Sequence, residues 1–466
     1  MRLVPETRRI LRPTREDPRL RGRRKERSEM REPDLFFDRT RLFELLCEQD
    51  NLRAGFNAVK KNKGSPGVDG VTIDKFESRL DEELGQLQKE LRSWTYEPQP
   101  VRQVDIPKPG KRGETRMLGI PSIRDRVIQA TLKELLEPIL EPTFSPNSYG
   151  FRPGRNQEQA IKAAQAIVAK GKRYCVDIDL CKFFDRVHHD RLIARLTQKL
   201  GDKRILRVIG KTLRSGIMKD GLVRVTSEGT VQGSPLSPLL SNVVLDELDK
   251  ELERRGIEFC RFADDCNSFG ESEKKAMGMM KLITSFVEGK LKLKVNQEKS
   301  KVALTSQVKF LGMTIVSATL AVSVASMQRA MDKVKDLTPR GTNLTIERTI
   351  EQINRWYVGW ANYYKMTQYP AQLKKIEAHI RRRLRARLVA QQKSRRSLYR
   401  KLTKLGVPGG MAGKAVFSNR KRWALSHTRA VEQAFSNQWF EYKGLKVKSD
   451  QMLAHWFDLN RWIKLT

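Results

Sequence analysis

The chain has 466 residues, with 91 Lys or Arg against 54 Asp or Glu and a net charge of +37. That length allows roughly two to four domains with a sizeable core, and so large a cationic excess points to a polyphosphate partner bound in a salt-dependent way. No run reaches the ~18 apolar residues of a membrane span, the Arg-rich start lacks the apolar stretch of a secretory signal, and five scattered cysteines without a CxxC pair argue against a disulfide framework or zinc site and for reduced thiols in the cytoplasm.

Residues 1–31 carry three prolines and show no helical apolar face. They read as a disordered basic arm, as a solubility tail, or as an upstream extension ahead of Met30. From Leu42 to Val59 apolar residues recur at helical spacing, which predicts a helix or helix pair running to Lys60. Lys61–Thr72 is a Gly/Pro-rich basic loop, and Ile73–Ser93 is helical again. Val101–Pro107 alternates like a strand, Lys108–Glu114 is a basic turn, and Arg116–Ile120 resumes extended structure. Such a hairpin presents cations that suit a triphosphate, or is an ordinary charged tip. Arg124–Leu140 is a helix stopped by Pro142, Ser148–Gly154 is a tight loop, and Gln157–Lys170 is a further helix.

Acids then enter the strands. Tyr174–Asp179 reads as a buried strand whose Asp177 and Asp179 share one face. Burying an unpaired carboxylate is costly, so a bound cation or basic partner is expected beside them. Phe183-Phe184-Asp185 leads to a helix through Leu200, and Gly229–Leu240 (GTVQGSPLSPLL) is a Gly/Pro loop opening the helix Leu239–Leu252. Within Glu258–Phe269 (EFCRFADDCNSF), Asp264 and Asp265 are adjacent and have no Lys beside them. They form either a surface turn or, in a tight hairpin, half of a metal site. A helix over Glu273–Lys290, a basic stretch Lys290–Lys301 and a strand Val308–Ile315 complete an α+β pattern with an antiparallel acidic hairpin.

Strand signals fade after Met327. Thr345–Lys365 is helical and carries Trp356, Tyr357, Trp360, Tyr363 and Tyr364, most of them expected in helix-packing contacts. Residues 371–422 hold 17 Lys or Arg against one acid, Glu377, a composition suited to RNA or single strands. Val407–Gly413 reads as a flexible break before a last helical unit, Lys421–Thr466.

These blocks, in this order, resemble those of bacterial group II intron-encoded proteins, reverse transcriptases with maturase activity. NLRAGFNAVKKNKGSPGVDG (51–70), IPKPGKRGETRMLGIPSIRDRVIQ (106–129) and SYGFRPGRNQEQA (148–160) are similar to the family's N-terminal and fingers blocks. VDIDLCKFFDRVHHDRL (176–192), QGSPLSPLLSN (232–242), RFADD (261–265) and KFLGMTI (309–315) resemble its palm, and RWYVGWANYYK (355–365) its thumb. The resemblance implies a right-hand polymerase fold, with fingers and palm built on an antiparallel sheet over 36–320, a helical thumb over 321–395 and a small basic helical DNA-binding region over 396–466, after a basic arm at 1–35.

It assigns Asp179, Asp264 and Asp265 as catalytic ligands of two Mg²⁺, with Asp179 preferred to Asp177 because it stands five residues before Phe184. Phe184 takes the position that excludes a 2′-OH, Gln232 and Gly233 lie beneath the dNTP, and Lys108 and Arg116 meet its triphosphate. Lys299 stands near the primer end, and Arg355, Lys365, Arg381, Arg382 and Arg383 face RNA. Phe262 departs from the Tyr more usual in the family, a change expected to alter rate or fidelity. The five dispersed His imply no HNH nuclease, and hence insertion into DNA already opened. Intron RNA, target DNA and dNTPs are the implied partners, with no membrane. A reverse transcriptase of retron, diversity-generating or CRISPR-associated type, and a maturase with a silent polymerase site, are the alternative readings.

Overall fold

A computed structural model describes residues 40–107, 113–219, 222–224, 228–230, 232–339 and 341–449. The expected basic arm, Lys108 and the last residues of the C-terminal unit lie outside the described residues. No helix among those described is long and apolar enough to cross a membrane.

The chain begins with α1 (Leu42–Leu46), α2 (Gln49–Asn62), α3 (Ile73–Glu77) and α4 (Leu80–Arg92). Leu52, Phe56 and Val59 of α2 are buried at i, i+4 and i+7, the spacing of one helical face. That face meets α5 (Ile123–Leu140) at Gly55, where a Cβ would overlap Thr131 Oγ1 and come within 2.8 Å of Val127 O. The hairpin expected around 101–120 forms as β1 (Val101–Pro107) and β2 (Thr115–Ile120), antiparallel, with Ile106 opposite Arg116. α6 (Gln157–Ala169) starts at a reciprocal cap, in which Gln159 N donates to Asn156 Oδ1 at 3.0 Å and Asn156 N to Gln159 Oε1 at 2.9 Å.

After β3 (Tyr174–Ile178) come α7 (His189–Lys199) and α8 (Lys203–Leu213), then β4 (Ile217–Lys219) and β5 (Leu222–Arg224). The sequence reading assigned no structure to α8, β4 or β5. β4 pairs in parallel with β1, so the first sheet has the order β2-β1-β4-β5. Strands of three residues are too short to show a period, and β5 is exposed on both faces, so the pairing alone defines them.

α9 (Ser237–Arg254) leads to the acidic hairpin, β6 (Phe259–Phe262) and β7 (Asp265–Gly270), and then to α10 (Glu273–Phe286). β8 (Lys301–Leu304) begins at the end of the basic stretch. The strand expected over 308–315 is confined to β9 (Met313–Val316), which pairs with β10 (Thr319–Val322). Leu311 and Gly312 take left-handed backbone angles, which breaks any extended run through them. The second sheet is antiparallel throughout, in the order β6-β7-β3-β8. Its two faces enter different cores. Val176, Ile178 and Cys266 join the large cluster built from α1–α5 and α7–α10, while Cys175, Cys260 and Phe269 join a smaller one with α6, Phe310 and Tyr364.

The rest is helical: α11 (Val324–Leu337), α12 (Ile346–Tyr363), α13 (Pro370–Ala390), α14 (Arg395–Lys404), α15 (Gly409–Val416), α16 (Arg422–Leu425), α17 (Arg429–Ala434) and α18 (Asn437–Tyr442). The flexible break expected at Val407–Gly413 is instead the start of α15. Its Ala412, Ala415 and Val416 are buried, and Gly409 comes close to Tyr399, where a Cβ would lie 3.0 Å from the phenol oxygen. One apolar cluster runs from Ala330 to Leu445, so the helices on both sides of residue 395 share a core. Of the aromatic block, Tyr357 and Tyr364 are buried in packing, as expected, and Trp356, Trp360 and Tyr363 are half-buried against the same cores. Because Phe435 is fully buried in that shared core, Phe435→Ala is expected to cost about 3–5 kcal/mol. Denaturant unfolding followed by tryptophan emission checks this, and the unit holding Trp356 and Trp360 should lose stability together with the C-terminal helices.

Candidate active site

The register of β3 and β7 sets the site. Asp177 lies opposite Asn267 and Ile178 opposite Cys266, so one further step places Asp179 across from Asp265. Alternation then puts Asp177, Asp179 and Asp265 on the sheet face that carries Cys175, Cys260 and Phe269. Asp264 sits with Ala263 in the two-residue turn between β6 and β7, since Phe262 pairs directly with Asp265. The backbone of Asp179 is fixed separately: its N–H donates to Ser300 Oγ at 3.0 Å, and its carbonyl accepts from Asn296 N at 2.8 Å.

The carboxylates are only partly compensated by nearby cations. Burial, reinforced by Asp177 and Asp264, pushes Asp265 up to about 7. Asp264 is raised by burial and then by the charge of Asp179, against which Arg116 and Arg261 act. Burial also raises Asp177, opposed by Lys301 and Lys309. Asp179 Oδ2 is buried and accepts no hydrogen bond; Lys299 Nζ is 3.2 Å away as an ion-pair partner. Among the described residues no three His, Cys, Asp or Glu side chains stand close enough to enclose an ion. The donor set nevertheless fits a hard divalent cation. Oxygen ligands, an unsatisfied buried carboxylate oxygen and mutual repulsion are what such an ion would satisfy.

The neighbouring expected residues converge from the first sheet. Gly119 N donates to Gln232 O at 2.8 Å, and a Cβ on Gly233, whose φ is +116°, would lie 2.5 Å from Gly119 O. Only glycine allows the 232–233 loop to rest this closely on β2. Arg116 on β2 is exposed and acts on Asp264 electrostatically. Phe184 is half-buried, edge-on to Phe183 at 5.2 Å, and its carbonyl accepts from Thr230 N at 2.6 Å, which ties it to the same loop. His189 holds the loop from below, with Nε2 2.6 Å from Gly229 O.

The residue that sequence reasoning missed is Arg261. It is fully buried, with Nε 2.7 Å from Asp249 Oδ1 and Nη2 2.5 Å from Asp249 Oδ2. Asp249, also fully buried on α9, keeps the guanidinium charged. Nη1 donates to Asn242 Oδ1 at 3.0 Å and to Ala263 O at 2.8 Å. Ala263 has φ +58°, a left-handed conformation that costs a non-glycine residue about 1–2 kcal/mol. Gly150 supports the turn from the other side, because a Cβ there would overlap Ala263 N. Its carbonyl accepts from Asn242 Nδ2 at 3.0 Å. The available signal was position: Arg261 alternates with Phe262, so it points opposite to the carboxylate face, into the protein.

Comparison with known proteins accords with this geometry. Residues 106–315 match the reverse transcriptase (RNA-dependent DNA polymerase) family, and residues 327–406 the group II intron, maturase-specific domain. The chain belongs to the group II intron reverse transcriptase–maturase family. It is 33% identical over 303 residues to Protein YkfC of Escherichia coli, covering 56% of this chain and 79% of that protein. Group II intron-encoded protein LtrA of Lactococcus lactis subsp. cremoris matches at 34% over 222 residues, 48% of this chain and 37% of LtrA. The retron Mx65 reverse transcriptase of Myxococcus xanthus matches at 29% over 46% of this chain and 51% of its own. A chain of a partial Cas6-RT-Cas1–Cas2 complex aligns at 22% identity over 53% of this chain and 42% of its own, with a TM-score of 0.35.

Of the thumb residues expected to face RNA, Arg381 and Arg382 line one cleft and Arg383 the next. Arg383 is engaged structurally, donating from Nη2 to Thr338 O at 2.6 Å. Lys365 pairs with Glu158 at 3.4 Å, and Arg355 is exposed beside Glu351; neither lines the clefts. For a reverse transcriptase of this family, Arg261→Lys is expected to loosen the turn that carries Asp264. Nucleotide addition should slow roughly tenfold or more, with the Mg²⁺ activation curve displaced to higher concentration and the dNTP KM changed less. Steady-state kinetics across a Mg²⁺ series check this, and an unaltered Mg²⁺ dependence would reduce Arg261 to a purely structural role.

Proposed function

We propose that the protein binds its group II intron RNA, assists its splicing and copies it into DNA from a 3′ end in the target. The observation that carries this reading is the gathering of Asp177, Asp179 and Asp265 on one sheet face, with Asp264 in the adjoining turn under the charge of Arg116 from the strand that holds the Gln232–Gly233 loop, in one chain with a maturase-specific domain. The 3′ end of the target DNA would be extended along the same RNA that the thumb and C-terminal helices hold.

Asp179, Asp264 and Asp265 would hold two Mg²⁺. Bound there, they would supply activation of the 3′-OH and neutralisation of the leaving pyrophosphate. The chain's own residues do the positioning. Phe184 blocks the space of a ribose 2′-OH, Gln232 and Gly233 support the nucleotide through backbone that glycine lets approach, and Arg116 meets its phosphates from the fingers. Lys299, paired with Asp179 at 3.2 Å, would place its ammonium beside a phosphate of the primer end. The excess of basic charge on the thumb makes RNA binding fall steeply with salt.

Asp264→Asn combined with Asp265→Asn should reduce Mg²⁺-dependent cDNA synthesis to background while intron RNA binding and splicing persist, assayed on purified protein with its neighbouring intron RNA. A wild-type protein that promotes splicing yet makes no cDNA would overturn the polymerase half of the reading. Phe184→Ala is expected to raise ribonucleotide incorporation relative to deoxyribonucleotide by roughly tenfold or more, measured in single-nucleotide extension.

A further inference from the structure

A concave cationic surface lies where α13 meets α16, lined by none of the palm carboxylates. Two clefts of ≈ 760 and ≈ 1000 Å³ open there and share Met331 and His379 in their walls. Eight Lys or Arg against one acid, Asp332, line the larger, and four against Glu432 line the smaller. Part of this charge is committed to structure: Arg387 and Arg395 donate to Thr349 and to the Val416 carbonyl. Lys335, Lys375, Arg420 and Arg422 are exposed and have no carboxylate partner among the described residues.

Trp423 stands between these cations. The residue is 40% exposed, with the Arg382 guanidinium carbon 4.3 Å from the ring centroid and His379 edge-on at 6.3 Å. Arg382 Nε is buried and makes no hydrogen bond. A planar cation layered on an exposed indole, within a wall of unpaired positive charge, offers stacking for a base and counter-charge for the phosphates beside it. A duplex keeps its base faces covered by stacking and could use only the charges. Lys375, His379 and Arg382 follow one another along one face of α13, so the surface is a track rather than a point.

We infer that this pair of clefts binds a single-stranded polynucleotide segment, one base stacked at Trp423 and Arg382 and flanking phosphates on Lys335, Lys375, Arg420 and Arg422. The inference rests on the reading that the protein acts on nucleic acid and adds a single-strand site remote from the carboxylates. The site straddles residue 395, so the thumb and the C-terminal helices hold the strand jointly.

The test uses the full chain and its Trp423→Ala, Trp423→Phe and Arg422→Gln variants. Binding is measured by anisotropy with a short unstructured RNA, DNA of the same sequence, and an RNA duplex, alongside primer extension on a pre-annealed template. Trp423→Ala should weaken single-strand binding about tenfold, Trp423→Phe should restore most of it, and duplex binding should stay within twofold. Arg422→Gln should lower the slope of log affinity against log salt by about 0.7. A loss confined to RNA identifies intron RNA as the occupant, and one confined to DNA identifies the target strand. Single-strand affinity unchanged in Trp423→Ala, or an equal loss on duplex, would overturn the inference. If Trp423→Ala fails to fold, the salt slope of the exposed Arg422→Gln variant decides, and an unchanged slope overturns it. Absence of extension by the wild type bears on the polymerase reading alone.

Discussion

The turn that presents Asp264 and Asp265 depends on one buried ion pair, Arg261 with Asp249. A guanidinium with no exposed surface is tolerated only if its charge and donors are met, and Asp249, Asn242 and the Ala263 carbonyl accept four hydrogen bonds from it. The pair links α9 to the hairpin turn and holds a left-handed alanine in place. Its effect is positional. Asp264 and Asp265 are presented by a turn that would otherwise relax, beside a strand whose own acid, Asp179, is pinned through Ser300 and Asn296.

Two opposite electrostatic arrangements coexist in the molecule. In the palm, negative groups are crowded and under-compensated, so burial and mutual repulsion raise Asp264 and Asp265. A cation reverses that penalty, which is why such a cluster persists in a folded chain. In the thumb and C-terminal helices, positive groups are crowded and under-compensated, and polyanion resolves them. The fingers hairpin bears on the first of these, because Arg116 acts on Asp264 while β2 supports the Gln232–Gly233 loop.

The candidate site's residues stand out in the sequence. Asp177, Asp179, Phe184, Gln232, Gly233, Asp264 and Asp265 lie in short segments whose residue types are unusual for a core, so the chemistry shows in linear order. The long helices were legible for a different reason: Leu52, Phe56 and Val59, or Tyr357 and Ala361, repeat at a period that local geometry imposes. Arg261 was not recognisable as a tie, because its partner Asp249 is twelve residues away on another element and nothing local marks the pair. Short β4 and β5 were missed since three residues carry no period. The glycines of α15 pointed to a break, yet the segment is helical, and a Cβ at Gly409 would lie 3.0 Å from the Tyr399 phenol oxygen.

The sequence by itself determined the family, the order of the blocks, the acidic hairpin and the basic character of the C-terminal third. Each of these is local in chain or additive in composition. Tertiary structure decided which acids share a face, that Arg261 turns inward, that helices on both sides of residue 395 share one core, and that Trp423 meets Arg382. Those facts depend on strand register and on contacts between residues far apart in the chain, and neither composition nor periodicity encodes them.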